Sequence, residues 1–200
     1  MTRVVLATRN LGKVAEMRRL LAAQAPDVEV LGLADVKAYE PGPETGATFA
    51  ENALAKAVEA VEATGLPAVA DDSGLTVDAL NGMPGVLSAR WAGRHGDDRA
   101  NLELLLGQVA DVPEERRGAG FVCAAAWALP DGRSEVVHGE VRGTLLRAPR
   151  GTGGFGYDPL FVPEGLDQTS AELTPEQKDG ISHRGQALRL LVPRLVDVLG

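Results

Sequence analysis

RVVLATRNLGKVAEMRRLLAAQ, residues 3–24, is the stretch that decides the fold. Its opening RVVLAT (3–8) is a short β-branched run suited to an inner strand, and it stops where Arg9 begins the RNLGK segment. Beyond it Val14, Met17, Leu20 and Leu21 fall on one helical face, with Glu16, Arg18 and Arg19 on the other. Strand, short loop and helix therefore follow one another within the first 24 residues, the opening of an α/β unit.

The same punctuation continues outward. VEVLGL (28–33) reads as a second strand, and KAYEPGPETGAT (37–48) as a loop by its prolines and glycines. From Phe49 to Ala63 an alanine-rich segment holds Phe49, Ala53, Ala57 and Val61 in helical register, with side chains small enough for close packing. LPAVA (66–70) is a buried strand that runs into the carboxylates Asp71 and Asp72, which this reading places at a strand end. DDRANLELLLGQV (97–109) is a helix capped by Asp97 or Asp98, with Leu102, Leu105 and Leu106 available for burial. Residues 118–146 form two strand-like runs about the turn PDGR, a long hairpin. A glycine-rich loop, RGTGGFGYDPLFVP (150–163), returns to an apolar strand, and a polar connection leads to a last helix from Gln186 to Leu199. The reading is α/β with mixed strands, whose ligand loops belong beyond the carboxyl ends of the parallel strands.

Whole-chain quantities narrow the class. A length of 200 residues suits one well-filled core, so a single domain over 1–200 is expected. A net charge of -8 argues against a protein that coats nucleic acid and leaves small ligands carrying their own metal as partners. His95, His138 and His183 lie far apart, and the lone Cys123 sits in an apolar run, which excludes a disulfide and a thiolate zinc site. No apolar stretch reaches the length needed to cross a bilayer, and a soluble, cytoplasmic chain without a membrane partner is expected.

Five segments carry chemistry. In ATRNLGK, the Thr8 hydroxyl, Asn10 amide, Lys13 ammonium and the N–H groups of a helix start are able to converge on an anion, although an ordinary capped helix has the same composition. The Walker spacing is absent, which disfavours a P-loop ATPase. In PETGATFAENA, Glu51 and Asn52 suit a helix beginning, whereas Glu44 lies in a loop free to approach Asp72, and two loop carboxylates are able to hold Mg²⁺. In ADDSG, successive strand residues face opposite ways, so one aspartate is open to a structural role while the other faces ligand, and Ser73 offers a hydroxyl. GTGGFGYDP sets glycines beside Phe155, Tyr157 and Asp158, a combination that brings backbone close to a planar ligand or simply forms a hairpin loop. EQKDGISHRG adds Lys178, His183 and Arg184, donors for phosphate or carbonyl on a segment that also reads as a polar surface loop. G-x-S-x-G is missing, which weakens serine-hydrolase chemistry.

Taken in order, VVLATRNLGK, PETGATFAENA, LPAVADDSGLTVDALNGMPGVLSARWAG, GGFGYDPLFVP and AELTPEQKDGISHRGQAL closely resemble the inosine triphosphate pyrophosphatases, the noncanonical purine nucleoside triphosphate pyrophosphatases. The resemblance covers nearly the whole chain. It implies two lobes on a long mixed sheet with the active cleft between them, a homodimer, and Mg²⁺-dependent hydrolysis of ITP, dITP and XTP between the α and β phosphates. Carried onto this chain, it implies that Thr8, Arg9, Asn10, Leu11, Gly12 and Lys13 lie along the triphosphate and that Glu44 helps hold the metal. Asp72 is then the general base or a metal carboxylate, and Ser73 contacts substrate. Phe155, Gly156, Tyr157 and Asp158 embrace the base, Lys178 binds phosphate, and His183 with Arg184 recognises the 6-oxo purine. Arg9 stands where relatives often have a small residue, adding charge within an intact Thr-x-Asn-x-x-Lys pattern. A pyrophosphatase of the Maf type, acting on modified or pyrimidine triphosphates, and a non-catalytic nucleotide-binding protein are the alternatives.

Overall fold

A computed structural model describes residues 2–9, 11–36 and 39–199. The chain opens with β1 (Thr2–Leu6), α1 (Leu11–Gln24) and β2 (Val28–Gly32), followed by α2 (Phe49–Thr64) and β3 (Ala68–Val77). Then come α3 (Asp98–Gln108), β4 (Gly118–Ala128), β5 (Ser134–Leu145), β6 (Phe161–Pro163), α4 (Pro175–Ile181) and α5 (His183–Leu199). Among the described residues these strands form one sheet in the order β2-β1-β3-β4-β5-β6. β1 is parallel to β2 and β3, and β5 is antiparallel to β6, so the sheet is mixed as expected.

The chain divides into two compact units, 1–72 with 123–139 and 184–200, and 73–122 with 140–183. In the first, the two faces of the sheet are sorted by the period-2 alternation of strand side chains. Val4, Leu6, Val69, Cys123, Ala125 and Trp127 pack with Met17 and Leu21 of α1 and Leu188, Leu191 and Leu195 of α5. Val5, Ala7, Ala68, Ala70, Ala124 and Ala126 pack instead with Ala53, Ala57 and Ala60 of α2. Alanine on both sides of this second layer is what lets α2 lie close to the strands. The second unit has its own core, in which Leu75, Val77, Leu105, Leu145, Tyr157, Leu160 and Phe161 meet.

Three expectations change. β3 does not end at the carboxylates but runs on through Ser73 and Gly74 to Val77, which places Asp71 and Asp72 in mid-strand. Gly74 permits this, since a Cβ there would lie 2.4 Å from Ser88 Oγ and 2.5 Å from the Gly85 carbonyl oxygen. The connection before the last helix is not irregular but holds α4, started by a capping box in which Thr174 and Gln177 satisfy each other's backbone N–H, with Pro175 opening the helix. The last helix itself begins at His183 rather than Gln186. Among the described residues no helix is long and apolar enough to cross a membrane.

Candidate active site

In the first unit the strand alternation separates the two aspartates. Asp71 shares the face of Val69 and Cys123, toward α1 and α5, and it is 1% exposed. Its Oδ2 accepts from Lys13 Nζ at 3.0 Å and from Arg184 Nε at 3.1 Å, with Cys123 Sγ at 3.9 Å. Oδ1 has no hydrogen-bond partner among the described residues. Burial alone would raise the Asp71 pKa, but the Lys13 and Arg184 cations, with Lys56 behind them, hold it well below the usual carboxylate range.

Asp72 leaves the strand on the α2 face. Its Oδ2 accepts from Asn52 Nδ2 at 2.9 Å, and its Oδ1 lies 3.4 Å from Lys56 Nζ. Asn52 and Lys56 are four residues apart on α2, the spacing that stacks side chains on one helix face. Lys56 Nζ also donates to Glu44 Oε1 at 2.8 Å, so the loop carboxylate and the strand carboxylate meet on one cation. The loop is tied to α2 at two further points: Gly46 N–H donates to Asn52 Oδ1 at 2.8 Å and Gly42 N–H to Glu59 Oε1 at 2.7 Å. A Cβ at Gly46 would fall 2.6 Å from Asn52 Oδ1, so this close passage requires glycine. Burial pushes the Asp72 pKa up, the charge of Glu44 adds to this, and Lys56 and Lys13 offset it only in part. Burial would lower the Lys56 pKa, but Asp72, Asp71 and Glu44 outweigh it and raise it, so Lys56 stays an ammonium.

Among the described residues no three His, Cys, Asp or Glu side chains gather as a ready-made metal cage. The donor set nevertheless suits Mg²⁺. Two carboxylates, Glu44 and Asp72, already converge on one positive charge, and Mg²⁺ is commonly bound by one or two carboxylates, with waters and phosphate oxygens filling the remaining positions.

The second unit holds a small pocket whose wall includes Phe121, Asp158, Phe161, Lys178, Ser182 and His183. Asp158 organises the glycine-rich loop: its Oδ2 accepts from Phe155 N–H at 2.8 Å and from Lys178 Nζ at 2.5 Å. Lys178 Nζ lies 4.8 Å from the Phe155 ring centroid, a cation–π contact. Gly154 has φ +71°, and a Cβ there would strike the Asp158 carboxylate. Gly156 N–H donates to Asp98 Oδ2 at 2.8 Å, tying the loop to the start of α3. Tyr157 is turned into the core, where its hydroxyl donates to the Ser88 carbonyl at 2.9 Å. His183 opens α5 and stacks on Phe121, with ring centroids 5.1 Å apart and planes at 11°.

Of the expected phosphate strip, Thr8 is half-buried after β1, and Arg9 is exposed with its guanidinium 3.3 Å from the Tyr39 carbonyl and from Glu40 Oε2. Asn10 lies outside the described residues, Leu11 and Gly12 form the first turn of α1, and Lys13 is drawn to Asp71. Ser73 is half-buried in β3. Arg184 is 1% exposed and committed to Asp71 through Nε, and Lys178, expected on phosphate, lines the pocket of the second unit. Sequence reasoning missed Lys56 and Phe121 and placed Asn52 only near a helix beginning. The helix is capped by Thr48, whose side chain accepts from Glu51 N–H. The i,i+4 pairing of Asn52 with Lys56 on a helix leading toward the aspartates was the available signal.

Fold and side chains together define an α/β protein with a carboxylate pair gathered on a lysine in one unit and a glycine-rich loop organised by an aspartate and a lysine in the other. The chain belongs to the Ham1 family, whose model matches residues 4–194. It is 62% identical over 201 residues to a dITP/XTP pyrophosphatase of Streptomyces coelicolor, with all of both chains covered. A crystal structure of a nucleoside-triphosphatase, dITP/XTP pyrophosphatase, from Mycobacterium abscessus is similar at 58% identity and a TM-score of 0.78, covering 96% of this chain and 100% of that one. The Staphylococcus aureus Ham1 protein matches at 40% identity and a TM-score of 0.86, covering 98% and 99%.

Proposed function

We propose that this protein hydrolyses noncanonical purine nucleoside triphosphates, ITP, dITP and XTP, between the α and β phosphates, giving the nucleoside monophosphate and pyrophosphate. The observation that carries this reading is the end-to-end 62% identity to a dITP/XTP pyrophosphatase. The placement of Asp72, Glu44 and Lys56 supports it chemically.

Asp72 orients a water toward the α phosphorus and takes its proton, and the burial that raises its pKa makes it a better base than an exposed carboxylate. The water oxygen forms a bond to the α phosphorus, the bridging bond to the β phosphate breaks, and the electron pair leaves with pyrophosphate. Lys56 and Lys13, with the strip from Thr8, offset the charge of the phosphates. Glu44 and Asp72 would hold Mg²⁺, which neutralises phosphate charge when bound. Ser73 contacts the nucleotide. In the second unit, Phe155 and the backbone about Gly156 meet the base, and His183 and Lys178 present donors to the 6-oxo group. At an adenine amino group the same donors meet a donor and stay unpaired, which selects against ATP. The whole chain works as one catalytic domain, as a cytoplasmic homodimer.

The test is pyrophosphate release from ITP, XTP, GTP, ATP and dTTP with and without Mg²⁺, with the nucleotide product identified. Metal-dependent conversion of ITP and XTP to IMP and XMP supports the reading. Turnover of dTTP in preference to both, or no turnover of any nucleotide, overturns it.

A further inference from the structure

We infer that Phe121 is a positioning residue that sets base selectivity by fixing the plane of the His183 imidazole. The inference rests on the reading of the second unit's pocket as the base site. His183 is 8% exposed and contributes to the pocket wall beside Phe121. Its backbone is set by the junction of two helices, since Ser182, the C-cap of α4, donates its N–H to the Lys178 carbonyl at 2.8 Å and α5 starts at the next residue. The backbone does not set the ring. The terminal torsion of a histidine is broad and roughly two-fold, so the groups packed against the ring choose its plane.

Phe121 presents such a packed surface to the ring. Its ring lies nearly parallel to the imidazole, 11° between planes at 5.1 Å. Phe121 is in turn held edge-on by Phe161, with centroids 4.8 Å apart and planes at 70°. β4 carries Phe121 and β6 carries Phe161, so the imidazole plane is referred through two rings to the sheet. Hydrogen bonds to a base weaken steeply once their angle falls toward about 120°, so a ring that turns by tens of degrees no longer separates an oxo group from an amino group. Selectivity, more than turnover, is what the stack protects.

The experiment compares kcat and KM for ITP, XTP, GTP and ATP in the intact protein and in Phe121→Leu and Phe121→Tyr, with the His183 ring-proton shifts followed by NMR. The leucine variant keeps apolar volume without a flat face. It is expected to lower the ITP-to-ATP ratio of kcat/KM by roughly 3- to 10-fold, the larger part of it in KM for ITP. Its His183 ring signals should lose the ring-current displacement, and the tyrosine variant should keep both selectivity and shifts. An unchanged ratio in Phe121→Leu, or an equal loss on every nucleotide in both variants, overturns the inference. If Phe121→Leu does not fold, Phe121→Met, flexible and of similar bulk, takes its place with the same two outcomes. An intact protein inert toward ITP rejects the functional reading itself, and the inference with it, even where the ring shifts report the stack.

Discussion

Asp71 Oδ2 lies 3.1 Å from Arg184 Nε, joining the middle of β3 to the first turn of α5, while the next residue, Asp72, turns to Asn52 and Lys56 on α2. Two adjacent carboxylates therefore serve different layers of the same unit, and their substitutions should separate stability from catalysis.

Asp72→Asn keeps the shape and the Asn52 contact but removes the base. We expect kcat on ITP to fall by about 10²- to 10⁴-fold with the urea midpoint little altered. Retention of full turnover would show that another group activates the water.

Asp71→Asn acts on the fold instead. It removes the buried negative charge that Lys13 and Arg184 share, and removing one partner from such a group typically costs about 3–5 kcal/mol. Equilibrium urea unfolding measures the loss, and a change below about 1 kcal/mol would mean that the two cations relax to solvent.

Lys56→Met tests whether Glu44 and Asp72 form a cation site. Without the ammonium the two carboxylates lose their shared partner, so the thermal midpoint in EDTA should drop. Added Mg²⁺ should then raise it more than in the unaltered protein, because a ligand that binds only the folded state stabilises it by mass action. An equal Mg²⁺ response in both proteins would place the metal elsewhere.

Tyr157 gives an alkaline signature. Burial, with the charge of Asp98 added, pushes its pKa above the ordinary phenol value. The folded phenol thus keeps its proton where the unfolded one, near pH 10, loses it. Its contribution is complete below about pH 10 and is lost as pH rises through the folded value. Tyr157→Phe should be less stable by about 1 kcal/mol near neutral pH, with the gap closing above about pH 10. A gap that stays constant in urea unfolding across that range would contradict the assignment.

Much of this arrangement was legible in the chain. The β-branched run at 3–8 and the helical periods that follow it and mark 49–63 correspond to β1, α1 and α2, because such patterns are the ones that bury apolar side chains. The site was less legible where proximity arises from tertiary packing. Asp71 and Asp72 looked like a strand end because aspartate commonly terminates strands. Only the cations brought by α1, α2 and α5 make a mid-strand pair tolerable, and nothing near residue 71 announces Lys13 or Arg184. Lys56 went unnoticed in its alanine helix for the same reason. α4 was missed although its Thr-Pro-Glu-Gln start was visible, because its 7 residues carry no buried stripe to mark them.

The spacing of Asn52 and Lys56 has a consequence for how relatives of this protein are free to diverge in length. Each residue advances a helix by about 100°, so one codon gained or lost between these two positions would swing one of them away from Asp72. Past Ala60 the helix carries neither contact and closes at Gly65 in the left-handed conformation with φ 69°. Insertions and deletions should accordingly accumulate after this helix and be purged within its first two turns.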